Sequence, residues 1–343
     1  MDDRQTEHRE FIAEIVARLA PTKNRKLITD LITDAVGLAT DHPDTLDLKI
    51  AASALSEMRD AYRMFRPYRD IPKVTIFGSA RTKPDDPLYA QARDVAHHLA
   101  QAGWMVITGA GPGIMQAGME GAGRDHSIGV SIRLPFEQGA NPVIAGDEKY
   151  VSMKYFFTRK LMLIKESRGS ICLPGGFGTL DETFELITLT QTGKGQPTPI
   201  VFLDVPGDPY WERVDAFVRE QLVSRRLVEP ADADLYLVTD SCERAVREVV
   251  GFYANYDSMR YIGDRLVLRV RQAPTDEQLA QLNTAFGDLC QRGSIDRAPA
   301  SSVEVRENDR PELPRLSFIF ANHRFGDLRN MIDTLNSWVT PVG

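Results

Sequence analysis

The segment ICLPGGFGTLDE, residues 171–182, is the clearest indication of the fold class in this sequence. Its first three residues are apolar, its middle is rich in glycine, and a helical pattern follows over residues 180–192. A short apolar run that leads through glycines into a helix is typical of a strand buried on both faces of a parallel sheet. The segment therefore predicts a strand, a tight loop and a helix in direct succession.

Similar apolar runs lie before and after this segment. They occupy residues 74–77, 104–107, 128–132, 200–203 and 235–238, and helical patterns such as residues 89–102 separate them. Buried strands that alternate with helices predict an α/β fold. We expect a Rossmann-like open parallel sheet with right-handed crossovers and helices on both faces. We place this domain at roughly residues 71–252.

Different patterns flank the α/β domain. Residues 1–70 carry three helical apolar stripes, which predict a helical region that caps the domain or supports oligomerisation. Apolar residues alternate over 266–270 as in a strand, and a capping-box pattern starts at Thr275 ahead of another helical stripe. Residues 258–343 are therefore expected to form a small α+β domain.

Composition excludes several classes of protein. The 343 residues carry 41 Lys+Arg against 48 Asp+Glu, and a net charge of −7 argues against binding of a nucleic-acid polymer. The cysteines and histidines show no CxxC or HxxxH spacing, so we expect no disulfide framework and no structural zinc site. No apolar stretch is long enough for a membrane span, and the N-terminus lacks a signal-peptide pattern. These features predict a cytoplasmic protein that does not contact membranes.

Two further glycine-bearing loops follow predicted strands, FGSAR at 77–81 and TGAGPGIM at 108–115. The second fails the dinucleotide fingerprint, because Ile114 stands where the last glycine is needed, and neither loop is a Walker A sequence. Such loops still let backbone N–H groups approach an anion, although strand-to-helix turns need glycine for geometry about as often. The residues expected to contact substrate here are Ser79, Gly109, Gly111 and Gly113.

The loop within residues 171–182 is the more specific phosphate candidate. Its glycines free the backbone, and Thr179 is predicted as the cap of the following helix, whose N-terminus favours anions. Glu182 and Glu185 lie on one face of that helix, where acids are common without any function. The basic pair Arg159-Lys160, 23 residues before Glu182, could fold over the same crevice or form a solvated helix face.

Together these residues resemble the Lonely Guy (LOG) family of nucleoside 5′-monophosphate phosphoribohydrolases, once mislabelled as lysine decarboxylases. The family's PGGxGTxxE motif stands at residues 174–182, and its arginine–lysine pair stands at residues 159–160. The segments GAGPGIM at 109–115 and LPFEQGAN at 134–141 are also similar to the family, the latter to its longer members. The resemblance covers about residues 72–240.

The resemblance implies an enzyme that cleaves a nucleotide into free base and ribose 5-phosphate, without a metal or cofactor. By position, Arg159 and Glu182 would be the catalytic residues, and the 5′-phosphate would lie in the third loop. It also implies assembly into at least a homodimer. The residues expected to bind substrate, beyond those of the first two loops, are Glu137, Lys160, Gly175, Gly176, Gly178, Thr179 and Thr188.

The chemistry of glycosidic cleavage agrees with these roles. Positive charge builds on the ribose ring, and a carboxylate near C1′ stabilises it, while arginine is too weak an acid to act as a proton donor. Two departures, Gln116 and Phe156, leave the base open between ordinary purines or pyrimidines and isoprenylated adenine. The alternative is a carrier or sensor that binds a nucleotide or cofactor without turnover.

Overall fold

The computed structural model describes residues 3–19, 24–134 and 139–339. The chain divides into two units, residues 1–59 and 60–343. The first unit is helical, as predicted. It contains α1 (Asp3–Leu19), α2 (Arg25–Thr40) and most of α3 (Thr45–Phe65), and α1 packs against α2.

The second unit begins with the α/β domain. Its described strands form one parallel sheet in the order β4-β3-β2-β1-β5-β6-β7, which confirms the predicted fold class. The elements are β1 (Lys73–Phe77), α4 (Pro87–Gln101), β2 (Met105–Thr108), α5 (Ile114–Ala122), β3 (Ser127–Ile132), β4 (Tyr150–Met153), α6 (Phe156–Lys165), β5 (Ser170–Cys172), α7 (Phe177–Gln191), β6 (Ile200–Leu203), α8 (Tyr210–Phe217), β7 (Leu237–Thr239) and α9 (Cys242–Gly251).

Helices cover both faces of this sheet. Val74 and Ile76 of β1 belong to a buried cluster with apolar residues of α4, α5 and α9. Alternate residues of a strand point to opposite faces, and the Thr75 hydroxyl donates to the Leu163 carbonyl of α6 at 2.7 Å. The direction of strand order reverses at β1, so the loops after β1 and β5 diverge and open a crevice at the carboxyl edge.

The sheet differs from the predicted one in two places. β4 lies at the edge, and three of its four residues are only half-buried, so it lacks the apolar run of an inner strand. The strand predicted at 235–238 is shifted toward the C-terminus, because β7 spans only Leu237–Thr239. Leu235 and Tyr236 are buried, but they precede the strand rather than belong to it.

The remaining residues form an antiparallel sheet with helices packed against it, in agreement with the predicted α+β class. The described strands pair in the order β10-β11-β9-β8, and the capping box at Thr275 is present. β8 starts at Tyr256, two residues before the predicted start of this domain at residue 258. The elements are β8 (Tyr256–Ile262), β9 (Arg265–Val270), α10 (Asp276–Phe286), β10 (Cys290–Ala298), α11 (Ser302–Glu307), β11 (Arg315–Phe320) and α12 (Phe325–Ser337).

Among the described residues, no helix has the length and apolar character needed to cross a membrane.

Candidate active site

A cleft of about 950 Å³ opens at the carboxyl ends of β1, β2, β3 and β5. All three glycine-bearing loops line it, together with the first turn of α6 and the first turns of α7. The structure thereby gathers residues that are up to about a hundred positions apart in sequence. The predicted residues that line this cleft are Ser79, Gly109, Gly111, Arg159, Gly175, Gly176, Gly178, Thr179 and Glu182.

Glu182 lies in the cleft on α7 and faces Arg159 of α6. Arg159 Nη1 lies 3.4 Å from Glu182 Oε1, and the two side chains are only 11% and 13% exposed. Burial raises the pKa of Glu182 to about 7, even though the charges of Arg159 and Lys160 act in the opposite direction. A carboxyl group with a pKa near neutrality can change protonation state under ordinary conditions, as expected of a group that takes part in catalysis.

Arg159 is held in place by the sheet. Its Nε donates to the Val130 carbonyl of β3 at 3.1 Å, and its Nη2 occupies the space beside Gly109. A Cβ on Gly109 would lie 2.1 Å from Nη2 and 2.6 Å from Met115 Sδ. The absence of a side chain at position 109 is therefore what allows the guanidinium group to reach Glu182.

Replacement of Gly109 by alanine should displace the Arg159 guanidinium with little loss of stability. Both clashing atoms are far ends of flexible side chains, so they can move without disturbing the fold. The movement of Arg159, however, disrupts the geometry of the site. We expect kcat/KM to fall about 100-fold, the loss typical of a misplacement near 1 Å. Steady-state kinetics with a thermal melt would check this. Gly118→Ala is the matched control: its Cβ would meet Ile76 Cδ1 at an ordinary 3.4 Å, so a loss there would contradict the explanation.

The three loops are joined through the backbone of Ser79. Its N–H donates to the Pro174 carbonyl at 3.3 Å, and its carbonyl accepts from the Ile114 N–H at 3.0 Å. Gly113 makes this approach possible, because its φ is +66° and a Cβ there would lie 2.4 Å from the Ser79 carbonyl oxygen. Gly113 thus shapes the cleft without lining it, which differs from the predicted direct contact with substrate.

The helix α7 starts earlier than predicted. Gly176, and not Thr179, is its N-cap, and Thr179 is the third helical residue. Thr179 is buried instead against Gly175, where an added Cβ would lie 2.2 Å from its Oγ1. The N–H groups of residues 177–179 lack intrahelical acceptors by helix geometry, and they lie at the positive end of the helix dipole. This end of the cleft therefore suits a phosphate group.

The other predicted residues lie elsewhere. Lys160 forms ion pairs with Asp181 Oδ2 at 2.5 Å and Glu185 Oε2 at 2.8 Å of α7, and it does not line the cleft. Burial opposes its charge, but these two acids outweigh burial and raise the pKa of Lys160. Thr188 donates to the Phe184 carbonyl and lines a separate depression on α7. Glu137 lies outside the described residues.

Sequence reasoning missed several residues that line the cleft. Tyr210 of α8 donates to the Gly175 carbonyl at 2.7 Å and thereby supports the third loop. Ser131 and Tyr150 share a hydrogen bond of 2.7 Å on the opposite wall. Tyr210 carries no signal in the sequence, whereas Ser131 could have been found from its place at the carboxyl end of β3. Arg81, Arg133, Phe156 and Phe177 complete the polar and aromatic lining.

Within residues 3–19, 24–134 and 139–339, no group of three or more His, Cys, Asp and Glu side chains is arranged to hold a metal ion.

Comparison with protein families gives one match for this region. A family model described as "Possible lysine decarboxylase" matches residues 113–249, which include both Arg159 and Glu182.

Curated relatives also match the chain. A cytokinin riboside 5′-monophosphate phosphoribohydrolase LOG of Oryza sativa subsp. japonica is 31% identical over 158 residues, covering 43% of this chain and 63% of the relative. A probable enzyme of the same kind from Arabidopsis thaliana is 32% identical over 131 residues, covering 37% of this chain and 62% of the relative. In both cases the chain spans less than two thirds of the relative's length.

Solved structures are similar at lower identity. A structural-genomics target designated TM1055 is 22% identical with a TM-score of 0.38, and the match covers 52% of this chain and 97% of that one. The molybdenum cofactor binding protein from Rippkaea orientalis is 16% identical with a TM-score of 0.37, and the match covers 52% and 94%.

Proposed function

We propose that the chain is a member of the Lonely Guy family and that it hydrolyses the N-glycosidic bond of nucleoside 5′-monophosphates to free base and ribose 5-phosphate. The observation that carries this proposal is the Arg159–Glu182 pair, 3.4 Å apart and mostly buried, in a cleft lined by glycine loops. The curated relatives named above are phosphoribohydrolases, which supports the same reaction class.

The 5′-phosphate binds at the N-terminus of α7 in this proposal. Gly176 and Gly178 leave open space where side chains would otherwise stand, since an added Cβ at either position meets no atom within 4 Å. A phosphate there accepts hydrogen bonds from backbone N–H groups and interacts with the helix dipole. This local arrangement binds an anion even though the chain carries a net charge of −7.

Glu182 then stabilises the reacting sugar. As the bond between C1′ and the base nitrogen breaks, its electron pair leaves with the base and positive charge builds on the ribose ring. The ionised carboxylate stabilises that charge and orients the attacking water. The water oxygen bonds to C1′, its proton passes to the carboxylate or solvent, and the departing base takes up a proton from solvent.

Arg159 acts as a fixed positive charge in this scheme. Arginine stays protonated at any working pH, so it positions the carboxylate and the nucleotide rather than donating a proton. Its hydrogen bond to Val130 ties it to the sheet, which keeps the geometry rigid. The proposed catalytic residues are therefore Glu182 and Arg159, with no role for a metal or cofactor in the scheme.

The pH dependence should report Glu182. Its pKa is about 7 in the free protein because burial disfavours the charged form, and only the ionised form can stabilise the transition state. We therefore expect kcat/KM to fall about tenfold for each pH unit below about 7 and to level off above it. Steady-state rates between pH 5 and 9 would check this. If the fall of kcat/KM, the acidic limb of the pH profile, were centred near the ordinary pKa of glutamate, the assignment would be contradicted.

The substrate phosphate also titrates, near pH 6 by analogy with phosphorylated side chains. Lys160→Gln distinguishes the two groups, because the Lys160 charge lowers the pKa of Glu182. Its removal should move a Glu182 limb to higher pH, whereas a limb set by the substrate would stay in place.

A substrate panel tests the function as a whole. Purified protein is incubated with AMP, CMP and isopentenyladenosine 5′-monophosphate, and ribose 5-phosphate is measured. We expect release from AMP or CMP first and from the isoprenylated nucleotide second. Binding of a monophosphate without release from any of them would favour the carrier or sensor and would overturn the enzyme.

We also propose that the active form is at least a homodimer. Large apolar residues are exposed beside the cleft: Phe156, Phe157 and Phe177 are 56%, 55% and 93% exposed. Several large apolar side chains exposed at a binding cleft are typical of an interface between subunits. A monomeric mass by light scattering at micromolar protein would contradict this.

A further inference from the structure

A second cavity, of about 550 Å³, lies at the opposite edge of the parallel sheet from the cleft. Lys73, which begins β1, lines it, and so does Arg168, which lies two residues before the amino end of β5. The carboxyl ends of these two strands border the cleft. The five residues of β1 span about 13 Å, so the two cavities are separate sites.

The lining of this cavity is strongly basic. Five cationic side chains and one carboxylate, that of Glu166, contribute to it. The cationic residues are Arg66, Arg69, Lys73, Lys165 and Arg168. Asp70 also lies near Lys73. Concentrated positive charge is unexpected in a chain whose net charge is −7.

Three of these cations are fixed by the protein. Lys73 Nζ donates to the Ile71 carbonyl at 2.9 Å, and Lys165 Nζ pairs with Glu166 at 2.6 Å. Arg168 donates to the Asp257 carbonyl at 3.1 Å, and its guanidinium stacks over the Tyr253 ring at 4.1 Å. These three cations are therefore preorganised, and a ligand would not have to order them.

The energetic balance of the cavity favours an anion. Lys73 is only 3% exposed, and burial lowers its pKa. The charges of Glu166 and Asp70 oppose this shift, whereas those of Lys165 and Arg168 add to it. Like charges held together in a partly buried site repel one another, and a bound anion would remove both penalties. An arginine guanidinium group can also donate two parallel hydrogen bonds to the oxygens of one phosphate group.

We propose that this cavity binds a small phosphorylated ligand with at least two phosphate groups, such as a di- or triphosphate. Five cations against one carboxylate match three or four negative charges better than the two of a monophosphate. The volume is within the range of sites for nucleotide-sized ligands. The aromatic side chains of Tyr62 and Phe65, at the end of α3, also line the cavity and offer an apolar wall to an attached organic group.

Calorimetric titration of the full chain tests this proposal, with inorganic tripolyphosphate as one probe and ATP as the other. We expect one site per chain for tripolyphosphate. Tighter binding of ATP would assign a nucleoside triphosphate as the ligand, and equal binding would assign the phosphate chain alone. If neither probe binds at millimolar concentration, the proposal is wrong.

Three variants locate the binding. Arg66→Ala and Arg69→Ala, both at exposed positions in the cavity lining, should each weaken tripolyphosphate binding about tenfold. Arg63→Ala removes the same charge one turn earlier on α3, outside the lining, and should change affinity little. Arg81→Ala removes a cation from the catalytic cleft and should also leave this binding unchanged. Equal binding in all variants, or a loss confined to Arg81→Ala, would contradict the assignment.

Discussion

Replacement of Glu182 by glutamine should lower kcat for ribose 5-phosphate release about a thousand-fold with little change in KM. Glutamine has the same size and keeps an oxygen toward Arg159, so the cleft retains its shape. It carries no charge, however, and the stabilisation of the developing ribose cation is lost only in the transition state. Losses of this kind usually reach a hundred- to ten-thousand-fold. An assay with AMP, supported by a circular dichroism spectrum of the variant, measures the effect.

Glu185→Gln is the matched control for this experiment. Glu185 lies three residues further along α7, is 37% exposed, and pairs with Lys160 at 2.8 Å rather than with Arg159. An ion pair of this exposure contributes little, so turnover should stay within about threefold of the wild type. If the folded Glu182→Gln protein kept near wild-type turnover, or if both variants lost activity equally, Glu182 would not have the proposed role.

The residues that meet in the cleft could be predicted because of where their loops begin. Each glycine-bearing loop follows a buried strand, and parallel strands bring their carboxyl ends to one edge. The contact between Arg159 and Gly109 could not be predicted. This contact depends on the position of α6 relative to the sheet, which hydrogen bonds such as that from the Thr75 hydroxyl to the Leu163 carbonyl help to fix.

Helix geometry explains why two of the predicted site residues, Lys160 and Thr188, do not line the cleft. Successive helical residues are rotated by about 100°, so Arg159 and Lys160 point in different directions, and Lys160 pairs with Asp181 and Glu185 instead of Glu182. Thr188 lies six residues after Glu182, which is about 9 Å along α7 and on a different side. Thr179 failed as a cap for another reason: Gly176 ends the loop earlier, and α7 begins at Phe177.

The antiparallel domain was harder to predict, because its core is partly ionic. β10 is mostly exposed and Gly293 within it has a φ of +77°, so no alternating pattern marks it as a strand. Arg269, Arg315 and Glu304 are all buried, at 3%, 3% and 0% exposure, although charged residues normally indicate a surface. Hydrophobic periodicity gives no information about side chains that are buried as ion pairs.

Replacement of Glu304 by glutamine should destabilise this domain by about 3–5 kcal/mol, the usual loss when one partner of a buried ion pair is removed. Glu304 Oε1 accepts from Arg269 Nη2 at 2.8 Å and from Arg315 Nε at 3.2 Å, while Oε2 accepts from the Ser301 N–H at 3.0 Å. The glutamine leaves both buried arginines without this counter-charge. Urea denaturation followed by circular dichroism measures the change.

Glu307→Gln serves as the control, because Glu307 lies on the same helix but is 49% exposed in its pair with Arg260. The loss of stability in Glu307→Gln should be below about 1 kcal/mol.

The pH dependence of stability gives an independent check on the role of Glu304. Burial alone would raise the pKa of Glu304, but hydrogen bonds from Ser301, Arg269 and Arg315 outweigh it and lower the pKa to about 2. The folded pKa lies below the ordinary 4.5, so the stabilisation is complete above pH 4.5 and is lost as the pH falls toward 2. The stability of Glu304→Gln should therefore change less than that of the wild type across this window, and parallel curves would show that Glu304 does not stabilise the domain as a charged group.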